Sequence, residues 1–130
     1  MKIVNRETLM SLSPGTVYQE FIPNITVEGL KIKETTIIYD DKAADWRYQD
    51  LDSIGVIDAP STEDMDTFLL KSSVKSNFEI PTNFNSSTRD GCFSDESLYL
   101  IWSLEDIDKL INRLKQAFVI NAMSEKLVKK

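Results

Sequence analysis

The sequence contains no histidine. That removes Ser-His-Asp and Cys-His nucleophilic machinery, most catalytic zinc sites and the side chain that ordinarily moves protons near neutral pH. Cysteine occurs once, at Cys92, so neither an intramolecular disulfide nor a multi-cysteine metal site can form. A lone thiol fits a reducing cytoplasm. With 4 glycines in the whole chain no phosphate-cradling glycine loop is available, and no Walker A, G-x-G-x-x-G or nucleophile-elbow pattern occurs. No apolar run approaches the length that spans a bilayer. Met1–Glu7 lacks the apolar core of a signal peptide, which makes the cytoplasm the expected location and the Asn24 and Asn85 glycosylation sequons chance matches. Positive charge is also short: 15 Lys+Arg stand against 21 Asp+Glu, a net charge of −6. Such a surface repels phosphate backbones, so neither DNA or RNA polymers nor anionic membranes are expected partners.

What remains is an ordinary core-forming composition, 42% hydrophobic and 28% charged over 130 residues, enough for one domain (1–130) without a metal or disulfide. Asn5 is placed to cap a short helix over Arg6–Leu12, with Leu9 and Leu12 on one face. Ser13-Pro14-Gly15 ends it. Thr16–Ile22 alternates as a strand. Ile25–Val27 and Leu30–Lys33 read as extended around a bulge or turn at Gly29, and Thr35–Tyr39 as a further β run. Asp40–Ala44 reads as a hairpin loop and Asp45–Ile57 as the returning strand, bent at Gly55. Ser61 with Asp64 marks a second short helix carrying Met65, Phe68 and Leu69. The polar run Lys71–Asn77 leads to an extended piece, Phe78–Ile80. Pro81–Ser94 has no period, and loops of that length in compact domains tend to be functional or disordered. Leu98–Trp102 is almost entirely apolar, as a central strand would be. Ser103 with Asp106 caps a long last helix with an apolar stripe from Leu104 to Phe118, and Lys126, Lys129 and Lys130 suit its C-terminal end. The expected fold is α+β: a mainly antiparallel sheet packed against a long C-terminal helix, with two shorter helices.

The carboxylates fall in four groups: Asp40-Asp41, Glu63-Asp64-Asp66, Asp95-Glu96 and Glu105-Asp106-Asp108. Paired carboxylates can do acid–base work or hold a metal, but these lie in loops and first helical turns, where negative charge is favoured anyway. No dedicated metal site is expected, since Asp40-Asp41 lacks the spaced pattern of a calcium loop. Cys92 has no histidine base and reads as an inert thiol, so Cys92→Ser is expected to be tolerated. Arginine occurs only at Arg6, Arg47, Arg89 and Arg113. Arg89 lies in the long loop with Asn83 and Phe84 upstream and Asp90-Gly91 behind it. An aromatic for stacking, amide edges and a guanidinium fork for phosphate would make a nucleotide pocket. The other reading is a surface ion pair of Arg89 with Asp90 or another acid, with Phe84 pinning the loop; composition alone favours it. As a ligand contact Arg89 would matter to binding and hardly to stability. Arg113 is equally ambiguous, because most arginines on a polar helix face are solvated.

The segment Arg89-Asp90-Gly91-Cys92-Phe93-Ser94-Asp95-Glu96-Ser97-Leu98-Tyr99-Leu100-Ile101-Trp102, running into Ser103–Leu110, together with Leu12-Ser13-Pro14-Gly15-Thr16-Val17-Tyr18, resembles a family of small phage proteins. These are the anti-Thoeris sponges, which sequester cyclic ADP-ribose isomers. The resemblance covers the start and the last third of the chain. It implies a non-enzymatic, phage-encoded anti-defence protein that binds a cyclic nucleotide without cleaving it and needs no cofactor. It also implies a homo-oligomer, at least a dimer, with pockets between protomers. Joined to the chemistry above, it nominates Asn83, Phe84, Arg89, Asp90 and Arg113 as ligand-binding residues, Arg113 coming from a neighbouring chain. Two other readings stand beside it. One is an acidic protein–protein inhibitor or adaptor acting on a host protein. The other is a metal-assisted phosphodiesterase using the clustered carboxylates.

Overall fold

The computed structural model describes residues 1–23, 26–27, 29–52, 56–58, 63–64, 66–67, 70, 79–91 and 93–128. Among these residues seven strands and two continuous helices run in the order β1 (Lys2–Asn5), α1 (Arg6–Ser11), β2 (Val17–Ile22), β3 (Thr26–Val27), β4 (Lys31–Tyr39), β5 (Lys42–Asp50), β6 (Thr88–Arg89), β7 (Leu98–Ile101) and α2 (Leu104–Val128). All strand pairs are antiparallel, in one sheet of order β1-β7-β2-β4-β5-β6 with β3 also paired to β2. The α+β class and the antiparallel sheet are therefore as expected.

Several local signals translate directly into structure. The Asn5 side chain accepts from Thr8 N–H at 2.9 Å and starts α1. Gly15 leaves the following turn at φ +92°, a conformation that costs other residues energy. β3 and β4 behave as one interrupted strand along β2. The pairing shifts by one residue between Phe21↔Val27 and Tyr18↔Lys31. Ser103 and Asp106 form a reciprocal capping box: Asp106 N–H donates to Ser103 Oγ at 3.1 Å, and Ser103 Oγ donates to Asp106 Oδ2 at 2.8 Å.

Other boundaries differ from the pattern in the sequence. The hairpin loop between β4 and β5 is only Asp40–Asp41, with φ of 53° and 60°, and not Asp40–Ala44. Two consecutive left-handed residues make the type I′ turn whose twist matches its flanking strands, and no glycine announced it. β5 ends at Asp50 and not at Ile57; Ile57 forms only an isolated bridge with Thr82. Met1–Asn5 contains an edge strand, β1, and the aperiodic loop contains β6. Of two expected shorter helices, one is continuous among the described residues. At the second, Glu63, Asp64, Asp66, Thr67 and Leu70 have helical backbone. Ser61, Met65, Phe68 and Leu69 lie outside the described residues, as do Asn24, Gly55, Lys71–Phe78, Cys92, Lys129 and Lys130.

The core sits on the face of the sheet that α1 covers. Alternation sends Tyr18, Trp46, Tyr99 and Ile101 to that face, where they pack with Leu9 and Met10. The three rings meet edge to face at centroid distances of 5.6–6.4 Å, and buried Trp46 Nε1–H donates to Tyr18 Oη at 2.8 Å. This contact gives the polar tips of both rings a partner inside the core. The long helix lies against the sheet, but not over its core. Short α1 closes the core, whereas α2 lies over the opposite face through its first turns only. Ile107 and Leu110 are half-buried, but Ile111, Leu114, Phe118, Val119, Ile120 and Met123 are exposed.

Candidate functional site

Two places in the molecule gather chemistry. The first is a groove of about 540 Å³ on the sheet face away from α1. Val17 and Ile32, paired across β2 and β4, supply its floor, each next in its strand to a residue buried on the other face, Tyr18 and Lys33. Trp102, just past β7, and Leu51, just past β5, close its ends, and Phe84 from the long loop forms a further wall. The last wall is α2 itself, through Ile107, Leu110, Ile111 and Leu114. Trp102 Nε1–H is held by Gln19 Oε1 at 2.8 Å, so the indole meets the groove with its polar edge satisfied. Among the described residues Asp52 is the one ionisable lining residue, and its carboxylate accepts from Leu30 N–H at 2.8 Å. Among the described residues this is an apolar trough with no cation in its walls.

The second place lies beside α1. Asp45 is fully buried, and its carboxylate accepts from Arg89 Nε at 2.6 Å, from Gly91 N–H at 3.0 Å and from Trp46 N–H at 2.9 Å. Three donors offset the cost of removing this charge from water. Gly91, at φ +69°, makes the turn that aims its N–H at the carboxylate. Asp90 N–H donates to Trp46 carbonyl at 3.0 Å, which docks the same loop onto β5. Two guanidinium groups then stack on Phe93: Arg6 at 5.6 Å and Arg89 at 5.9 Å, with Arg6 also 5.3 Å from the Trp46 ring. Buried Arg6 also donates to the Ala44 carbonyl.

Burial shapes the ionisation of this face. Desolvation pushes the Tyr18 hydroxyl far above its ordinary value, more than the Trp46 hydrogen bond lowers it, and the Asp90 charge adds to the rise. Tyr48 is raised by burial and then by Asp50, Asp90 and Glu20. Lys33, nearly inaccessible in β4, has its ammonium destabilised by burial. Its Nζ donates to Thr36 Oγ1 at 2.8 Å and to the Glu34 carbonyl at 3.1 Å. Asp106 is held down at about 2 by the N-terminal ammonium at 2.8 Å, then by the Ser103 hydroxyl and backbone.

The five residues nominated from sequence do not converge on one place within one chain. Phe84 lines the groove; Asn83, Arg89, Asp90 and Arg113 do not. The Asn83 side chain accepts from Asn85 N–H at 2.9 Å, an Asx turn that shapes the loop. Arg89 is committed to Asp45, with 52% of its side chain still exposed. Asp90 lies close enough to Tyr18 and Tyr48 to influence both. Arg113 is on the exposed side of α2 near Gln116. Sequence reasoning missed Asp45, Arg6 and the groove wall at Leu51 and Trp102. No period or motif marks any of them, because each acquires its role from a strand or loop distant in the chain. No cluster of three or more metal-ligating side chains occurs among the described residues, and no described helix is long and apolar enough to cross a membrane. Compared with known proteins, the chain matches no family model, no curated protein and no solved structure.

Proposed function

We propose that this chain is a non-enzymatic interaction protein that works through contacts with protein surfaces, made by the groove and by α2. The observation that carries this reading is the continuity of the two. The apolar side chains of α2 that wall the groove run on as an exposed stripe to Phe118, which is 75% exposed. An apolar patch of that extent on a small protein is the mark of a contact surface. The acidic inhibitor or adaptor reading suits it better than a nucleotide pocket, because an apolar trough offers no partner for phosphates. The test is a titration with an apolar fluorescent dye, comparing the chain with Phe118→Asp. Dye binding that is lost in the variant, with the melting curve unchanged, supports the reading; equal binding refutes it.

The sponge reading has one observation in its favour. Arg89 is half exposed and stacked on exposed Phe93, in the segment that resembles the anti-Thoeris family. Incubation with a crude nucleotide extract, followed by heat release and mass spectrometry, decides it. Intact cyclic nucleotide recovered in proportion to protein would replace the interaction reading with sequestration of a signal.

A further inference from the structure

The structure assigns the groove between the sheet and α2 to a small hydrophobic amine, its apolar body lying over the sheet and its ammonium at Asp52. The inference goes beyond the protein-contact reading: it gives the groove a small occupant and leaves the stripe past Leu114 to the protein partner. A cavity of about 540 Å³ falls within the roughly 300–1,000 Å³ of small-molecule sites. Its floor crosses neighbouring strands in the order β7-β2-β4-β5. Trp102 N–H donates to the Val17 carbonyl at 2.9 Å, Val17 pairs with Ile32, and Leu51 N–H donates to the Leu30 carbonyl at 2.9 Å. Sheet hydrogen bonding thus runs on beneath the groove from Trp102 to Leu51, across three strand spacings or about 14 Å. Above it, the two turns of α2 from Ile107 to Leu114 cover about 10 Å. An extended chain of about ten carbons has that reach. Trp102 and Leu51 bound the groove at its ends. A peptide strand or helix must run on past its contact, whereas a small molecule ends inside.

The chemistry of the walls selects the head group. Among the described residues the floor and the helix wall are aliphatic, and Phe84 and Trp102 add ring faces. The Trp102 indole N–H is already held by Gln19 Oε1 at 2.8 Å, so the interior suits methylenes and not polar atoms. Asp52 is exposed and stands on the β5 side of the groove, next in the chain to Leu51. Leu30 N–H fixes its carboxylate at the mouth, using one of the roughly four acceptor positions such a group offers. An ammonium placed there keeps part of its hydration, which avoids the full desolvation cost of a buried ion pair. An anionic amphiphile would set carboxylate against carboxylate, with no described lining residue of positive charge to offset it. A neutral alcohol would gain the apolar contacts alone. The net charge of −6 favours the approach of a cation over that of an anion.

Calorimetric titration of the intact chain with decylammonium chloride, decanol and sodium decanoate tests the assignment. Salt of about 0.15 M at pH 7 screens the net charge beyond roughly 8 Å. One decylammonium per chain is expected, with decanol about fivefold weaker and decanoate weaker by about tenfold or more. Asp52→Asn, which keeps an acceptor for Leu30 N–H, should remove the advantage of decylammonium over decanol. Asp52→Lys should invert the order and favour decanoate. Near-UV circular dichroism of the Trp46–Tyr18–Tyr99 cluster, on the other face of the sheet, checks that both variants are folded. Equal affinity for the three probes, no saturable binding, or an unchanged preference in Asp52→Asn overturns the assignment. Phe118→Asp should bind decylammonium as the parent does. Loss of that binding in Phe118→Asp would give the groove to the protein partner and overturn the amine. Absent decylammonium binding beside Phe118-dependent dye binding overturns the amine alone; absence of both removes both readings.

Discussion

Arg89 and Asp45 form a thermodynamic pair that a double-mutant cycle can measure. Removing one partner of a buried ion pair typically costs about 3–5 kcal/mol, because a charge is left in a poor solvent. Two features reduce that figure for Arg89→Ala. The Arg89 side chain is 52% exposed, so water screens much of its attraction, and the Asp45 carboxylate keeps the Gly91 and Trp46 N–H groups. About 1.5–2.5 kcal/mol remains. Asp45→Ala also strips Gly91 N–H of its acceptor and releases the docked loop, for roughly 2–4 kcal/mol. The double variant should cost little more than Asp45→Ala, giving a coupling of about 1–2 kcal/mol. Urea unfolding measures all four corners of the cycle. In thermal melts a 2 kcal/mol loss corresponds to roughly 7 °C for a chain of this size. Additive single effects, or Arg89→Ala that melts with the parent, would refute the pairing as an energetic link and return Arg89 to the role of a ligand contact.

Three further outcomes follow from the same geometry. Lys33→Met should be neutral within about 1 kcal/mol or stabilising, because it replaces a buried ammonium with an apolar side chain of similar length. The parent protein should gain stability relative to Lys33→Met as pH rises, since the folded-state pKa lies below the ordinary 10.5 and the unfolded chain holds that proton longer. Melting curves between pH 7 and 10 test both statements, and a loss above about 3 kcal/mol contradicts them. Asp41→Gly should stabilise the β4–β5 hairpin by about 0.5–1 kcal/mol, since glycine suits the second left-handed position of a type I′ turn; an unchanged urea midpoint counts against it. Asp106, depressed to about 2 from 3.8, contributes its capping interaction at and above ordinary carboxylate pH and loses it as pH falls through about 2. Helicity at 222 nm in Asp106→Asn should therefore differ from the parent at pH 5 and converge with it below pH 2.

Much of the molecule was legible in the sequence because it depends on neighbours in the chain. Asn5 capping α1, Gly15 turning the chain and the Ser103–Asp106 box each require only residues within a few positions, and all three form as their chemistry dictates. The α+β class followed from strand alternation and the period of the last helix. Tertiary structure decided which face of each element met what. The stripe of α2 reads like any core-facing helix, yet only its first turns reach the sheet, because α1 and the rings of Tyr18, Trp46 and Tyr99 fill the other face. Periodicity says that a face is apolar and is silent on whether its partner lies in the same chain. Arg89 shows the same limit for charge. Its pairing with Asp45, 44 positions away, exists only because β6 lies beside β5 and the turn at Gly91 carries the loop back over Trp46. Such a contact depends on sheet order, which strand patterns leave open, and on the burial that makes Asp45 hold its donors.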